Sequence, residues 1–397
     1  MKKLVLNCLF SITLMLGLSF SAYAGDGITD KEIHIGSWGP QTGPAAPWGT
    51  ISRGSDAYFK MINKKGGING RQIVFHHFDD GYNPARTKAG VKQLQEGETP
   101  MFAFVGGVGT SPGLAVVDYL MDAKVPWIGP ATASEHWVNP PKKYLFTNYA
   151  PYYKEAMVLT KYAVETMKKK RIAVVYQNDD YGKGGLKGVR MQLEKNGMKP
   201  VLELPMEVKD TDMKPYIFKL KKADVDAVVL WISVGQAVRT IGTAKAMQLS
   251  PQFFGTSTVS DFPLMFKISK GLWKGVITAS FNEPPESTSP LMMEYKEAFK
   301  QFASKDERWG TFFIAGFMFA EPLVEALKRI PHDELTRERL VLELEGLKNF
   351  QGIGAVTSYK KFDVKDPRSR QGTNAVYLTE CLDNGANKKL TDWIELD

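Results

Sequence analysis

Only two cysteines occur in 397 residues, Cys8 and Cys381, so neither a disulfide framework nor a cysteine-rich zinc site can be built. Histidine is nearly as scarce, at five. His76 and His77 are adjacent, and neighbours on a strand face opposite ways, so they cannot chelate one ion together. The others, His34, His136 and His332, form no motif. No G-x-x-x-x-G-K-[ST] loop is present to cradle phosphates, and no G-x-S-x-G elbow or readable Cys–His pairing offers a nucleophile. Beyond residue 24 no stretch is apolar enough to span a bilayer. Charge of one sign is also lacking: 51 Lys and Arg stand against 43 Asp and Glu. The basic residues come as scattered pairs and triplets such as Lys168–Lys170, Lys221–Lys222 and Lys388–Lys389, the pattern of solvated helix ends rather than a nucleic-acid track.

What is present is the balance of a soluble globular protein, 43% hydrophobic and 24% charged. The N-terminus reads as an export leader. Met1-Lys2-Lys3 is cationic, Leu4–Phe20 is mostly apolar, and Ala22-Tyr23-Ala24 is a small-x-small cleavage site. A membrane anchor is the rival reading, but the apolar run is interrupted by Asn7, Ser11, Thr13 and Gly17 and no stop-transfer cluster follows. Cys8 lies inside the run rather than after a cleavage site, so no lipid anchor is expected. The mature chain is expected to begin at Gly25, with Cys381 its single thiol and no stable membrane anchor.

From Glu32 onward, short apolar runs alternate with helix-length amphipathic stretches, the pattern of a doubly wound parallel sheet. A first set has strands at 32–36, 72–78, 101–106 and 125–129, with helices at 48–63, 84–96 and 112–123. After a loop at 140–144, a second set has strands at 171–176, 201–205, 227–232 and 253–256, with helices at 153–168, 184–195, 213–222 and 235–247. Building one unit twice argues for two lobes of similar α/β architecture. The last third breaks the rhythm, with a strand at 276–281, helices at 290–303, 309–329 and 337–347, and strands at 355–362 and 375–381. A single strand followed by helices cannot form a sheet alone, so this part is expected to return to the first lobe and the tail to the second.

Three motifs invite chemistry. The turn Gly106-Gly107-Val108-Gly109-Thr110-Ser111-Pro112 leaves a strand and opens a helix. Its N–H groups and hydroxyls suit a carboxylate, although a plain β-α turn explains the glycines equally. The spacing is not that of a dinucleotide fingerprint. Asp79-Asp80-Gly81 and Asn178-Asp179-Asp180-Tyr181-Gly182 also end strands; they lack calcium-loop spacing and read as turns and helix caps. Tyr181 can face an inter-lobe crevice. The aromatic stretch 309–327 reads as a buried helix rather than a cofactor box. No catalytic constellation emerges, and no cofactor is expected.

Taken in order, these segments resemble the periplasmic leucine/isoleucine/valine-binding proteins, the type I substrate-binding proteins of branched-chain amino acid ABC importers. The resemblance is carried by Ile35-Gly36-Ser37-Trp38-Gly39-Pro40-Gln41-Thr42-Gly43, Trp48-Gly49, Ile62 through Gly70, Asp79-Asp80-Gly81, the glycine-rich turn and Asp180-Tyr181-Gly182-Lys183-Gly184. It implies two Rossmann-like lobes joined by three crossovers, near 146–151, 281–285 and 350–354. The lobes would comprise 25–146 with 282–350 and 147–281 with 351–397. By position, Trp48 would be an aromatic wall, Thr110 and Ser111 with their backbone the carboxylate site, Ala131, Thr132, Ala133 and Ser134 its completion, and Tyr181 the tyrosine closing from the second lobe. The family's ammonium-binding glutamate has no counterpart: the run is Thr256-Ser257-Thr258, with Asp261 the nearest acid. A second family aromatic, expected near 232–234, is absent, though Trp231 lies beside it. Hydroxyls without an acid favour a small organic acid with an aromatic or branched body over an ordinary amino acid, unless Asp261 swings in. The implied partners are a small-molecule ligand and a membrane permease, in the periplasm; an exported sensor with the same fold is the alternative.

Overall fold

The computed structural model describes residues 26–396. The expected leader, with its cleavage site and Cys8, lies outside the described residues. The first sheet contains β1 (Glu32–Gly39), β2 (Gln72–Asp79), β3 (Ala103–Val105), β4 (Trp127–Ile128) and β5 (Leu145–Phe146), in the order β2-β1-β3-β4-β5 and all parallel. The second contains β6 (Ile172–Gln177), β7 (Leu202–Met206), β8 (Ala227–Trp231), β9 (Gln252–Gly255), β10 (Ile277–Ser280), β11 (Ala375–Cys381), β12 (Asn387–Lys389) and β13 (Ile394–Glu395). Its order is β12-β11-β10-β9-β8-β6-β7, with β13 on β11. Both sheets therefore start in the middle, step once to one edge, then return and run the other way. Each has a switch point, β1/β3 and β6/β8, where diverging loops leave a crevice at the carboxyl ends of the strands. The fold is α/β with two Rossmann-like lobes.

Burial explains why these segments became strands. β8, Ala-Val-Val-Leu-Trp, is buried at every position, as a parallel strand covered by helices on both faces must be. Helices obey the caps anticipated from the Asx residues. Asp179 accepts a bond from Gly182 N–H at 3.1 Å and starts the helix Asp180–Lys195, four residues earlier than periodicity alone suggests. Asp79 instead ties the loop after β1, accepting from Gln41 N–H at 2.8 Å and the Thr42 hydroxyl at 2.6 Å. Those bonds hold its carboxyl down at about 2.

Several expectations fail locally. The single helix over 112–123 is two, Thr110–Leu114 and Val117–Asp122, because Val116 leaves helical geometry at φ −124°. The strand over 355–362 does not form: Thr357 bridges Phe350, but Ser358 bonds to Gly372 and Tyr359 to Leu347, so no one neighbour accompanies the segment. The helix Phe262–Ile268 and the short strands β5, β12 and β13 carry too few residues for a readable period. Nor are the histidines wholly unconnected, since His34 Nδ1 lies 3.0 Å from His76 Nε2 across β1 and β2.

The chain passes between the sheets three times. After β5 it enters the helix Tyr152–Lys161 and β6. After β10, which pairs with β9 rather than with the first sheet, it turns back so that the helix Thr311–Lys328 packs on the helix Thr50–Lys64. There Ser55 Oγ donates to Gly316 O at 2.9 Å. It then returns to β11. Second and third passages run side by side, with Glu283 N–H donating to Ile353 O at 2.7 Å. Rings of the first and second meet, Tyr149 and Phe281, 4.5 Å between centroids.

Candidate functional site

Strand ends and passages from both halves enclose one cavity of about 410 Å³, counting its open mouth. The glycine-rich turn enters it through Val108, Gly109 and Thr110. This turn can approach because Gly106, Gly107 and Gly109 have φ of +64°, +79° and +101°, a region that side chains resist. A Cβ on Gly107 would lie 2.5 Å from the Trp38 ring. The other walls are Trp48, Ile51, Tyr82, Ala131, Tyr149, Tyr152, Tyr181, Thr258, Phe281, Phe312 and Phe319. Aromatic rings dominate, the polar side chains are all hydroxyls apart from the Trp48 indole N–H, and among the described residues no charged side chain is part of the lining.

Of the residues singled out by sequence, Trp48, Thr110, Ala131 and Tyr181 line this cavity together. Trp48 Nε1–H donates to Thr258 O at 2.8 Å, and Tyr181 Oη lies 2.6 Å from Thr258 Oγ1, so three of the walls are tied to one another across the cleft. Thr110 Oγ1 is 2.6 Å from Thr132 Oγ1, which places Thr132 behind the lining rather than in it. Ala133 contributes its carbonyl, accepting from Tyr152 N–H at 2.9 Å. Ser111 reaches Asp179 at 3.3 Å instead of the cavity. Ser134 faces an outer cleft beside His136, Asp180 and Lys187.

Three more expected contacts are displaced. Trp231 is fully buried behind Tyr152 and Tyr181, at centroid distances of 5.8 and 6.4 Å, and does not face the cavity. Its position on β8 puts it under the helix Asp180–Lys195, where Gly185 packs against the indole. Ser257 is likewise one layer back, bonded to Glu155. Asp261 caps the helix Phe262–Ile268 through Leu264 N–H at 3.2 Å and accepts Phe312 N–H at 3.1 Å. Gly310 closes over it, so swinging into the cavity would strip both bonds. Burial raises its carboxyl to about 6.

Sequence reasoning missed Tyr82, Tyr149, Tyr152, Phe281, Phe312 and Phe319. Tyr82 follows Gly81 with φ +59°, an unusual conformation for an aromatic that turns its ring against Trp48, 5.6 Å away. A hydrophobic helix hides the double duty of Phe312 and Phe319, which are core on one side and wall on the other. Burial keeps the phenols of Tyr82, Tyr149 and Tyr181 well above their ordinary range, hence neutral and able to donate. In the outer cleft, Lys187 Nζ meets Glu135 at 2.6 Å and His136 meets Asp180 at 3.8 Å, joining the first half of the chain to the second. Among the described residues no three His, Cys, Asp or Glu converge to hold a metal, and no helix is long and apolar enough to cross a membrane.

The profile of the family described as "Periplasmic binding protein" matches residues 32–386. The Leu/Ile/Val-binding protein homolog 3 of Brucella melitensis is 28% identical over 57% of this chain and 59% of its own length. A leucine-, isoleucine-, valine-, threonine- and alanine-binding protein of Pseudomonas aeruginosa is 27% identical over 62% of this chain and 66% of its own. The matches thus span about three fifths to two thirds of these relatives. A substrate-binding periplasmic protein from Ralstonia solanacearum superposes with a TM-score of 0.81 at 26% identity, covering 90% of this chain and 99% of that one. The branched-chain amino acid transporter protein of Thermus thermophilus with bound valine gives 0.82 at 17% identity over 93% and 97%, a likeness of fold. With two switch-point crevices facing one cavity and a family profile spanning both lobes, the chain belongs to the periplasmic binding protein family.

Proposed function

We propose that this protein is the solute-binding component of an ABC importer, exported by a cleaved leader, and that it closes its lobes over a small carboxylate-bearing ligand with an aromatic or branched body. The observation that supports this ligand class most is the cavity's lining of rings and hydroxyls without a charged side chain. An ammonium buried there would lack a carboxylate partner, a cost of several kcal/mol. Hydroxyls receive a carboxylate or a neutral oxygen at lower cost, and the flat walls of Trp48, Tyr82 and Tyr181 suit an apolar body. Closure would be stabilised because the ligand contacts both lobes at once.

Calorimetry with leucine, phenylalanine and their 2-oxo analogues tests the reading. The 2-oxo acids should bind more tightly; amino acids tighter by over about tenfold, roughly 1.4 kcal/mol, would defeat the ligand class. Thr110→Val removes a donor to a charged oxygen and should weaken binding by about 1.5–3 kcal/mol. It also strips Thr132 of its buried partner, so unliganded stability should fall by about 1 kcal/mol. Unchanged affinity would remove Thr110 from the site. Bound ligand should be released unaltered, and turnover would refute a binding role.

A further inference from the structure

Behind the cavity lies an acid that the ligand site does not touch. Glu155, on the helix Tyr152–Lys161, is fully buried. Its Oε1 accepts Ser257 N–H at 2.7 Å, and its Oε2 lies 2.6 Å from Ser257 Oγ. Ser257 Oγ is in turn 2.5 Å from Tyr149 Oη, and Tyr149 lines the cavity. Three oxygens therefore stand in a row, carboxyl, serine and phenol, sharing two hydroxyl protons when the acid is ionised and three protons when it is not.

We infer that Glu155 is a specificity-determining positioning residue: acting through Ser257, its protonation state decides whether Tyr149 offers the ligand an acceptor or a donor. With Glu155 ionised, the Ser257 hydroxyl donates to it, Tyr149 donates to Ser257, and only phenol lone pairs are left for the cavity. When a proton enters from solvent onto Oε2, that O–H donates to Ser257 Oγ, Ser257 donates to Tyr149, and the phenol hydrogen is freed for a ligand oxygen. One proton is gained, and otherwise only hydrogen bonds reverse. An anionic ligand without an ammonium favours the second state twice over, by accepting from Tyr149 and by repelling a carboxylate. It thus binds with uptake of a proton, whereas a zwitterionic amino acid does not.

The surroundings leave Glu155 free to play this part near neutrality. Burial pushes it up to about 7 against the donors Ser257 and Thr256. The ionisable groups coupled to it are the phenols of Tyr149, Tyr152 and Tyr181, which stay neutral. β9 and β10 carry no titratable side chain. On the helix Asp180–Lys195, Lys183 and Lys187 are exposed, and on its own helix Lys154 bonds to Asn374 and Leu396 instead.

The inference rests on the proposed ligand class, and the experiment separates the two. Phenylpyruvate and phenylalanine are titrated into the protein by calorimetry, in buffers of differing ionisation enthalpy, between pH 5.5 and 8.5. Phenylpyruvate should bind with uptake of about one proton above neutrality, its affinity falling about tenfold per pH unit; phenylalanine should show neither. Glu155→Gln, fixed in the donor state, should bind phenylpyruvate at pH 8.5 as tightly as the parent does at pH 5.5. Ser257→Ala and Tyr149→Phe keep the acid and cut the row, so proton uptake should fall by more than half. Uptake retained in both would mean charge repulsion alone and would overturn the relay. If neither probe binds, the ligand class fails, and the relay is read by infrared spectroscopy of the unliganded protein. A protonated carboxyl band should appear as pH falls from 8.5 to 5.5, vanish in Glu155→Gln and shift in Ser257→Ala. A band unmoved by Ser257→Ala, or no such band, overturns it.

Discussion

Thermal unfolding of the unliganded protein should shift downward, on the order of 10 °C, as pH rises from about 5 to about 8. The cause is a set of buried acids. Glu321 accepts from Tyr295 Oη at 2.8 Å and Ile353 N–H at 3.2 Å, sealed under Gly352 at the second and third passages. Burial raises its carboxyl to about 7, as it does Glu155, and raises Asp261 to about 6. In the unfolded chain a glutamate titrates at about 4.3 and an aspartate at about 3.9. Each folded-state pKa is raised, so the stabilisation is fully present below the unfolded value and lost as pH climbs through the folded one. For a glutamate at about 7 the loss is roughly 3 kcal/mol by pH 8. Glu321→Gln should accordingly stabilise by no more than about 1 kcal/mol at pH 5 and by roughly 3 kcal/mol at pH 8. A melting temperature flat between those pH values, or a Gln variant weaker at both, would show that the acid is ionised and well solvated.

Gly316→Val should cost about 3 kcal/mol or more, among the larger effects for one substitution. The helix Thr311–Lys328 crosses the helix Thr50–Lys64 with backbones nearly touching. A Cβ at Gly316 would lie 2.2 Å from Ile51 O, and one at Gly54 would lie 2.1 Å from Phe313 O. No side chain stands between to give way, so the helices must separate and the Ser55–Gly316 hydrogen bond must break. Urea unfolding would record this as a lower midpoint with an unchanged slope. Because Phe312 and Phe319 ride on the same helix, binding should weaken as well. A loss under about 1 kcal/mol would mean the crossing is looser than the geometry allows.

Sequence made the repeated β-α order legible because buried parallel strands such as β6 and β8 are uninterrupted apolar runs bounded by turns. It also pointed to Trp48, Thr110, Ala131 and Tyr181, each in a segment leaving a strand's carboxyl end or opening the following helix. Tyr149, Tyr152 and Phe281 were hidden because they lie in passages, where no period marks an inward face. Phe312 and Phe319 were hidden because in a helix buried all round no stripe distinguishes wall from core. Asp261 misled for a different reason. Being near a site in sequence says nothing about where a carboxylate points, and two backbone N–H groups direct it away.

Trp48 carries a consequence for observing the protein at work. Its indole N–H donates to the carbonyl of Thr258, a residue from the opposite half of the chain, and its ring stands edge-on to Tyr181 at 6.1 Å. Parting of the lobes would break that bond and wet the ring, while Trp38, Trp127, Trp137, Trp231 and Trp273, all fully buried, would keep their surroundings. The chain thus contains its own optical gauge of opening. Stopped-flow emission, with Trp48→Phe as the blank, would time the movement without an attached dye.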